Sequence, residues 1–163
     1  MASIIGDRGR FAIEYALYDR PRPFGSVRLW IADLWIGDFG QTAYLDYFCR
    51  KLYFLHSKRV LRTKLAFVTQ PSADQLVELS SIGNWSFGEA FDGFNLLYFA
   101  VAGDRCLSFR WEMADWLRET HPDYPGGVRV GKIDFNTYDE VVTPFLSHIF
   151  TSTVGWDELA PDL

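Results

Sequence analysis

"FGSVRLWIADLWIGDFG", residues 24–40, is the stretch on which the fold depends. Val27, Leu29 and Ile31 occupy odd positions, whereas Leu34 and Ile36 occupy even ones. A strand alternates its side chains between two faces, so one continuous strand cannot present both sets to the same core. A tight turn at Ala32-Asp33 resets the register and makes residues 26–31 and 34–38 the arms of a hairpin. A single strand with a bulge there re-aims side chains equally well, and Ala-Asp lacks the glycine or asparagine that two-residue turns favour. From the sequence both geometries stay open. Trp30 and Trp35 flank the turn, so one is expected in the core and the other free to contact a partner.

Working outward, "GDRGRF" at residues 6–11 has neither the Gly-Lys-Ser/Thr ending of a phosphate loop nor a strand before it, and reads as a turn that launches a strand. That strand covers residues 11–18, with Phe11, Ile13, Tyr15 and Leu17 on one face and Ala12, Glu14 and Ala16 on the other. Pro21 and Pro23 end it by removing ladder donors. Residues 42–57 carry Leu45, Phe48, Leu52 and Leu55 at helical spacing, with Cys49 and His56 beside the stripe. The basic run of Lys58, Arg59, Arg62 and Lys64 suits the negative end of that helix's dipole. A second helix starts at Ser72, where Ser72 and Gln75 have capping-box spacing, and stops near Gly83.

Residues 95–102 and 105–111 form a further hairpin across Gly103-Asp104. Leu97, Phe99 and Val101 are read as matching Leu107, Phe109 and Trp111, with Phe99 and Phe109 both buried across from the helices. Residues 128–135 make another strand whose buried side is ambiguous, since Val128, Val130, Lys132 and Asp134 alternate with Arg129, Gly131, Ile133 and Phe135. The last helix is expected from Asn136 or Thr137, with a capping box between Thr137 and Glu140, an apolar side of Val141, Val142, Phe145, Ile149 and Phe150, and a kink or restart at Pro144. These elements predict an α+β fold, a mainly antiparallel sheet of about five strands with helices packed on one face. The 163 residues are read as one domain, 1–163, with an acidic tail at 156–163. A chain of this size buries about 70% of the surface it exposes when unfolded, so its core needs no staples. Cys49 and Cys106 are accordingly expected as buried free thiols.

The charge is unevenly spread. Residues 1–70 hold 11 Lys/Arg against 6 Asp/Glu, residues 71–163 hold 5 against 15, and the whole chain carries −5. An acidic half argues against nucleic acid as its ligand and suits a basic protein partner. The N-terminus shows no charged segment followed by an apolar core, and the longest apolar run, residues 96–102, is too short to span a bilayer, so a cytoplasmic protein without membrane contact is expected.

Chemistry is hard to find. His56, His121 and His148 share no metal-ligand spacing, and neither cysteine belongs to a Cys-x-x-Cys pair. No nucleophile elbow, Walker loop or dinucleotide fingerprint occurs, so neither catalytic residues nor a cofactor or metal are assigned. The feature that stands out is the connection "EMADWLRETHPDYPGG", residues 112–127, which separates two strands that a short turn could have joined. It concentrates Asp115, Glu119 and Asp123 beside Trp116 and Tyr124, the residue types of binding hot spots. The segment reads equally as a short surface helix whose Met113, Trp116 and Leu117 pack down onto the sheet, and both readings hold together with Trp116 inward and the acids outward. With Trp35 of the hairpin, these five residues are the candidate partner-binding set.

The order of segments resembles the immunity protein 42 family of bacterial polymorphic toxin systems. "GDRGRFAIEY" opens the chain, followed by the tryptophan stretch, the first helix, "AFDGFNLLYFAVAGDRCLSFRW", and a strand running into "FNTYDEVVTPFLSHIF", together covering residues 5–150. The chain departs from that pattern at Ala32-Asp33, where a glycine-rich turn is expected, and in its longer 112–127 connection. The resemblance implies a protein that binds and neutralises a cognate toxin domain in the producing cell, with no active-site residues to carry over. The runner-up is a small-ligand binder or enzyme with an unrecognised aromatic cleft. Oligomeric state and the toxin's identity are not legible in the residues.

Overall fold

The computed structural model describes residues 1–19, 22–57, 66–67, 69–82 and 86–150. The basic run 58–64, Gly83 and the acidic tail 156–163 lie outside the described residues. Among those described, strands β1 (Ser3–Asp7), β2 (Phe11–Asp19), β3 (Phe24–Ile31) and β4 (Leu34–Ile36) form an antiparallel sheet in that order, and β5 (Ala43–Tyr44) pairs with the start of β3. The α+β class and the mainly antiparallel five-stranded sheet are those predicted. A second sheet stands beside the first, in the order β6 (Ala66–Phe67), β7 (Phe94–Val101), β8 (Cys106–Met113) and β9 (Arg129–Asp134), with β6 parallel to β7 and the rest antiparallel.

The open question at Ala32-Asp33 resolves as a hairpin. Leu29 pairs with Ile36, Trp30 with Trp35 and Ile31 with Leu34. The two turn residues adopt φ of 50° and 65°, the left-handed pair that a type I′ turn demands. L-residues occupy that region at a cost, and here the turn is clasped from outside: Asp33 N–H donates to the carbonyl of Arg8 at 2.8 Å and Ala32 N–H to that of Arg10 at 3.3 Å. The turn between β1 and β2 thus holds the one between β3 and β4. Trp30 and Trp35 do not divide between core and surface as expected. As register partners they share one face, and both are half-buried.

Among the described residues there are four helices, α1 (Asp46–Ser57), α2 (Ala73–Ile82), α3 (Asp115–Arg118) and α4 (Phe135–Ile149), and one 3₁₀ turn at Glu89–Phe91. The predicted stripe of α1 is buried, Leu45, Phe48, Cys49, Leu52 and Leu55 all being core residues. The helix begins later than the periodicity implies because Ala43–Tyr44 pairs with β3 and Leu45 N–H donates to the carbonyl of Pro23 at 2.7 Å. The capping box of α2 is closed in both directions, Gln75 N–H to Ser72 Oγ at 3.2 Å and Ser72 N–H to Gln75 Oε1 at 2.9 Å. In α4 the cap is Asp134, whose carboxylate accepts from Thr137 N–H at 2.8 Å, so the helix starts before Thr137; it runs through Pro144 to Ile149.

One apolar cluster draws on both sheets, α1 and α4. Phe11 stacks on Tyr138 at 5.5 Å between ring centres, and Phe145 meets Tyr15 and Phe48 edge-on at 5.2 and 5.7 Å. The second sheet contributes Leu96, Tyr98, Leu107, Phe109 and Trp111. Gly131 sets how closely the sheets meet, since a Cβ there would lie 2.5 Å from Ile31 Cγ2. Of the two faces of β9, therefore, the one bearing Gly131 and Ile133 points inward. Phe99 and Phe109 are both buried, but the register pairs Tyr98 with Phe109 and Phe99 with Ser108, which puts the two phenylalanines on opposite faces. Phe99 packs on Phe67 at 5.7 Å, outside the main cluster. Cys49 is a buried free thiol whose pKa burial raises strongly, whereas Cys106 is free but only half-buried, in contrast to the expectation for it.

Candidate functional site

The connection leaves β8 at Met113 and returns at Arg129. Its first residue, Ala114, donates its N–H to the carbonyl of Gly93 at 2.9 Å, and the one-turn helix α3 then lies over that glycine. Leu117 is the residue that points inward, only 2% exposed; Trp116 is 54% exposed. The expected inward tryptophan is thus corrected. A helix of one turn can bury a single position deeply, and the branched aliphatic side chain occupies it while the larger ring faces solvent with Asp115 and Glu119. Both ends of the segment are stitched by arginines, Arg118 Nη2 donating to the Met113 carbonyl at 3.3 Å at its start and Arg129 Nη2 to the Gly126 carbonyl at 2.6 Å at its close.

Tyr124 is the fixed point. Its ring is buried, and its hydroxyl donates to the backbone carbonyl of Trp35 at 2.6 Å while accepting from Trp111 Nε1 at 2.9 Å. Burial pushes the phenol up to about 12, against the opposing pull of the Trp111 hydrogen bond. As a core residue Tyr124 is not an exposed anchor; it ties the connection to β4 and β8 at once. Around it Trp35 meets Tyr124, His121 and Phe94 edge-on at 4.7, 4.9 and 5.7 Å. Such perpendicular contacts set the positive rim of one ring against the negative face of another.

Two stretches singled out separately in the sequence therefore touch. Asp33, Leu34 and Trp35 of the hairpin and residues 120–125 of the connection line a cleft of about 440 Å3. Of the six predicted residues, Trp35, Asp123 and Tyr124 come together there, while Asp115, Trp116 and Glu119 sit on or beside α3, all three exposed. Among the described residues no group of three or more His, Cys, Asp or Glu side chains is placed to hold a metal ion, and no helix is long and apolar enough to cross a membrane.

The sequence reading missed a second cluster, on the outer face of the first sheet. Glu14 is buried, and one of its oxygens, Oε2, accepts from Trp30 Nε1 at 2.7 Å, Arg28 Nε at 3.0 Å and Arg8 Nη2 at 3.3 Å. Burial alone would raise its pKa, but the bonds from Arg28 and Trp30 and the charges of Arg28 and Arg8 overturn that and leave it lowered. The Arg28 guanidinium lies 4.8 Å from the centre of Trp30, 5.0 Å from Phe39 and 5.7 Å from Trp35. A signal was there. The small residues Ala12 and Ala16 flank Glu14 on its face and pair with Trp30 and Ser26, which leaves room for the long side chains of β3 to lie across them.

No protein-family model matches the chain, and no curated protein does. A solved structure, that of CdiI from Burkholderia dolosa AUO158, is similar to it in fold, with a TM-score of 0.50 at 14% identity over 90% of this chain and 99% of that one. At that identity the likeness speaks for a shared fold.

Proposed function

We propose that this chain is an immunity protein, which binds a cognate toxin domain in the cytoplasm of the producing bacterium and neutralises it stoichiometrically, without chemistry of its own. The observation that carries the reading is the meeting of hairpin and connection in one acidic, aromatic surface held rigid from beneath by Tyr124. A surface ordered before binding loses little further entropy in the complex. The exposed Asp115, Glu119 and Asp123 suit a partner with a basic surface, and the exposed Trp116 suits a desolvated anchor among them. The fold neighbour supports the same reading, since CdiI denotes an immunity protein of contact-dependent inhibition. The order of segments from residue 5 to 150 favours the immunity protein 42 family within that class.

The test is co-expression with the toxin domain encoded next to this gene, followed by titration of the purified pair. Protection is expected to saturate at a fixed molar ratio. Full protection by a small fraction of an equivalent would instead reveal turnover and overturn the reading. The aromatic cleft favours one other reading, a small-ligand site; a metabolite co-purifying with the chain in the absence of any toxin binding would be its mark.

A further inference from the structure

We propose that Arg118 and Arg129 together form a receptor for one carboxylate side chain of the partner. This rests on the immunity reading and names a residue type that the partner must present. Both guanidinium groups end at Gly126: Arg129 Nη2 donates to its carbonyl at 2.6 Å, and Arg118 Nη1 stands 2.6 Å from where a Cβ on that glycine would lie. Any side chain at position 126 would push the Arg118 head aside, and glycine leaves it room. Each arginine is half-buried and held by one bond to a backbone carbonyl, Arg118 to that of Met113 and Arg129 to that of Gly126. Among the described residues neither has an ion-pair partner, although the connection itself carries Glu112, Asp115, Glu119 and Asp123.

The hydrogen-bond accounting points to an anion. Arg118 Nε and Arg129 Nε are buried donors with no partner, so both guanidinium charges are partly withdrawn from water without compensation. A charge held that way is costly unless paired, and two like charges at one residue add repulsion. The remaining terminal nitrogen of each, Nη1, is also unbonded, but it is not shut off from solvent. A carboxylate has two oxygens in one plane, one for each Nη1, and offsets both charges at once. The neighbouring Gly126, Gly127 and Val128 are exposed, so the pair lies at the surface of the connection. Along the chain it falls among the exposed acids Asp115, Glu119 and Asp123. A partner that matched those acids with positive charge alone would set like charge against Arg118 and Arg129. One acid placed among the partner's basic residues removes that penalty, which makes the arginine pair a test of partner identity.

The first test needs no toxin. The full chain is titrated with sodium acetate, ionic strength being held constant with sodium chloride, and the Nε–H NMR signals of Arg118 and Arg129 are followed; inorganic phosphate is run in parallel. Saturable shifts of both signals are expected with acetate. Arg118→Gln or Arg129→Gln, read on the arginine that remains, should weaken acetate about tenfold, the loss of one charge-assisted hydrogen bond. Gly126→Ala keeps both charges and carries the test should a glutamine variant fail to fold. Its backbone does not need a positive φ, and the added Cβ meets only the movable head of Arg118, so acetate should weaken severalfold while the thermal melt stays close to wild type. Absence of saturable acetate shifts, a response to phosphate alone, or unchanged acetate affinity in any variant that folds would each overturn the proposal. Against the toxin, Arg118→Gln/Arg129→Gln should dissociate at least about tenfold faster, and an unchanged rate would show that the partner does not use the site. Toxin capture without an acetate response would sink the receptor and leave the immunity reading standing; an acetate response without toxin capture would do the reverse.

Discussion

Replacing Tyr124 by phenylalanine removes one oxygen and tests whether hairpin and connection are pinned as described. The hydroxyl satisfies the Trp111 indole, whose ring is 1% exposed, and the carbonyl of half-buried Trp35. Without it the indole N–H is a buried donor with no partner, which costs about 1–3 kcal/mol, while the Trp35 carbonyl is near enough to solvent to recruit water. The total is about 2–3 kcal/mol. For a chain of 163 residues that lowers the melting temperature by about 4–12 °C, at about 2–4 °C per kcal/mol. Urea denaturation read by far-ultraviolet circular dichroism gives the free energy, and a double-mutant cycle gives its origin. In a Trp111→Phe background there is no donor left to orphan, so Tyr124→Phe should cost about 1 kcal/mol less than in the wild type. An unchanged denaturation midpoint in Tyr124→Phe, or a full and additive cost in the Trp111→Phe background, would refute the pinning.

Three further outcomes follow from other parts of the molecule. Ala32→Asn should stabilise the chain by about 0.5–1 kcal/mol, because alanine at φ 50° carries strain that asparagine largely avoids; a lower melting temperature would contradict the turn geometry. Glu14 has a lowered folded pKa, so its contribution is present above the unfolded carboxylate range, about 4.3, and is lost as pH falls through the folded value; Glu14→Gln should therefore flatten the acid limb of stability against pH below about 4.5, and an unaltered limb would count against the cluster. Trp116→Ala should leave the melt within about 0.5 kcal/mol of wild type yet speed dissociation from the toxin, while Asp115→Asn/Glu119→Gln should slow association most at low salt; wild-type rates in both variants would move the interface elsewhere.

The readings that succeeded share one physical condition, a segment buried on one side only. The stripe Leu45, Phe48, Leu52 and Leu55 showed its period because the rest of α1 largely faces solvent, and the change of parity at Ala32-Asp33 was legible because one arm of each pairing faces a core. Where burial is two-sided or absent, period says little. Residues 96–100 of β7 are buried on both faces, which is how Phe99 and Phe109 came to be assigned to the same side. Ser3–Asp7 is largely exposed on both faces and offered no alternation to read. The site was half legible for a similar reason. Composition pointed to the connection, but whether Trp116 or Leu117 turns inward depends on the position of Gly93, a residue remote in sequence. Beyond its strand face, nothing was read for Glu14, because its three donors come from Arg8, Arg28 and Trp30, which nothing local connects to it.

The way the connection is fastened separates what can change from what cannot. Its fixed points are few: Leu117 beneath α3, Tyr124 between two strands, and the arginine stitches at Met113 and Gly126. Asp115, Trp116, Glu119 and Asp123 lie between those points and are all exposed. Under the proposed immunity role, a lineage confronting a succession of toxins could rewrite these four positions one mutation at a time, each step altering recognition without passing through an unfolded ancestor. Recognition and foldability would then evolve on separate residues of the same sixteen-residue stretch, 112–127.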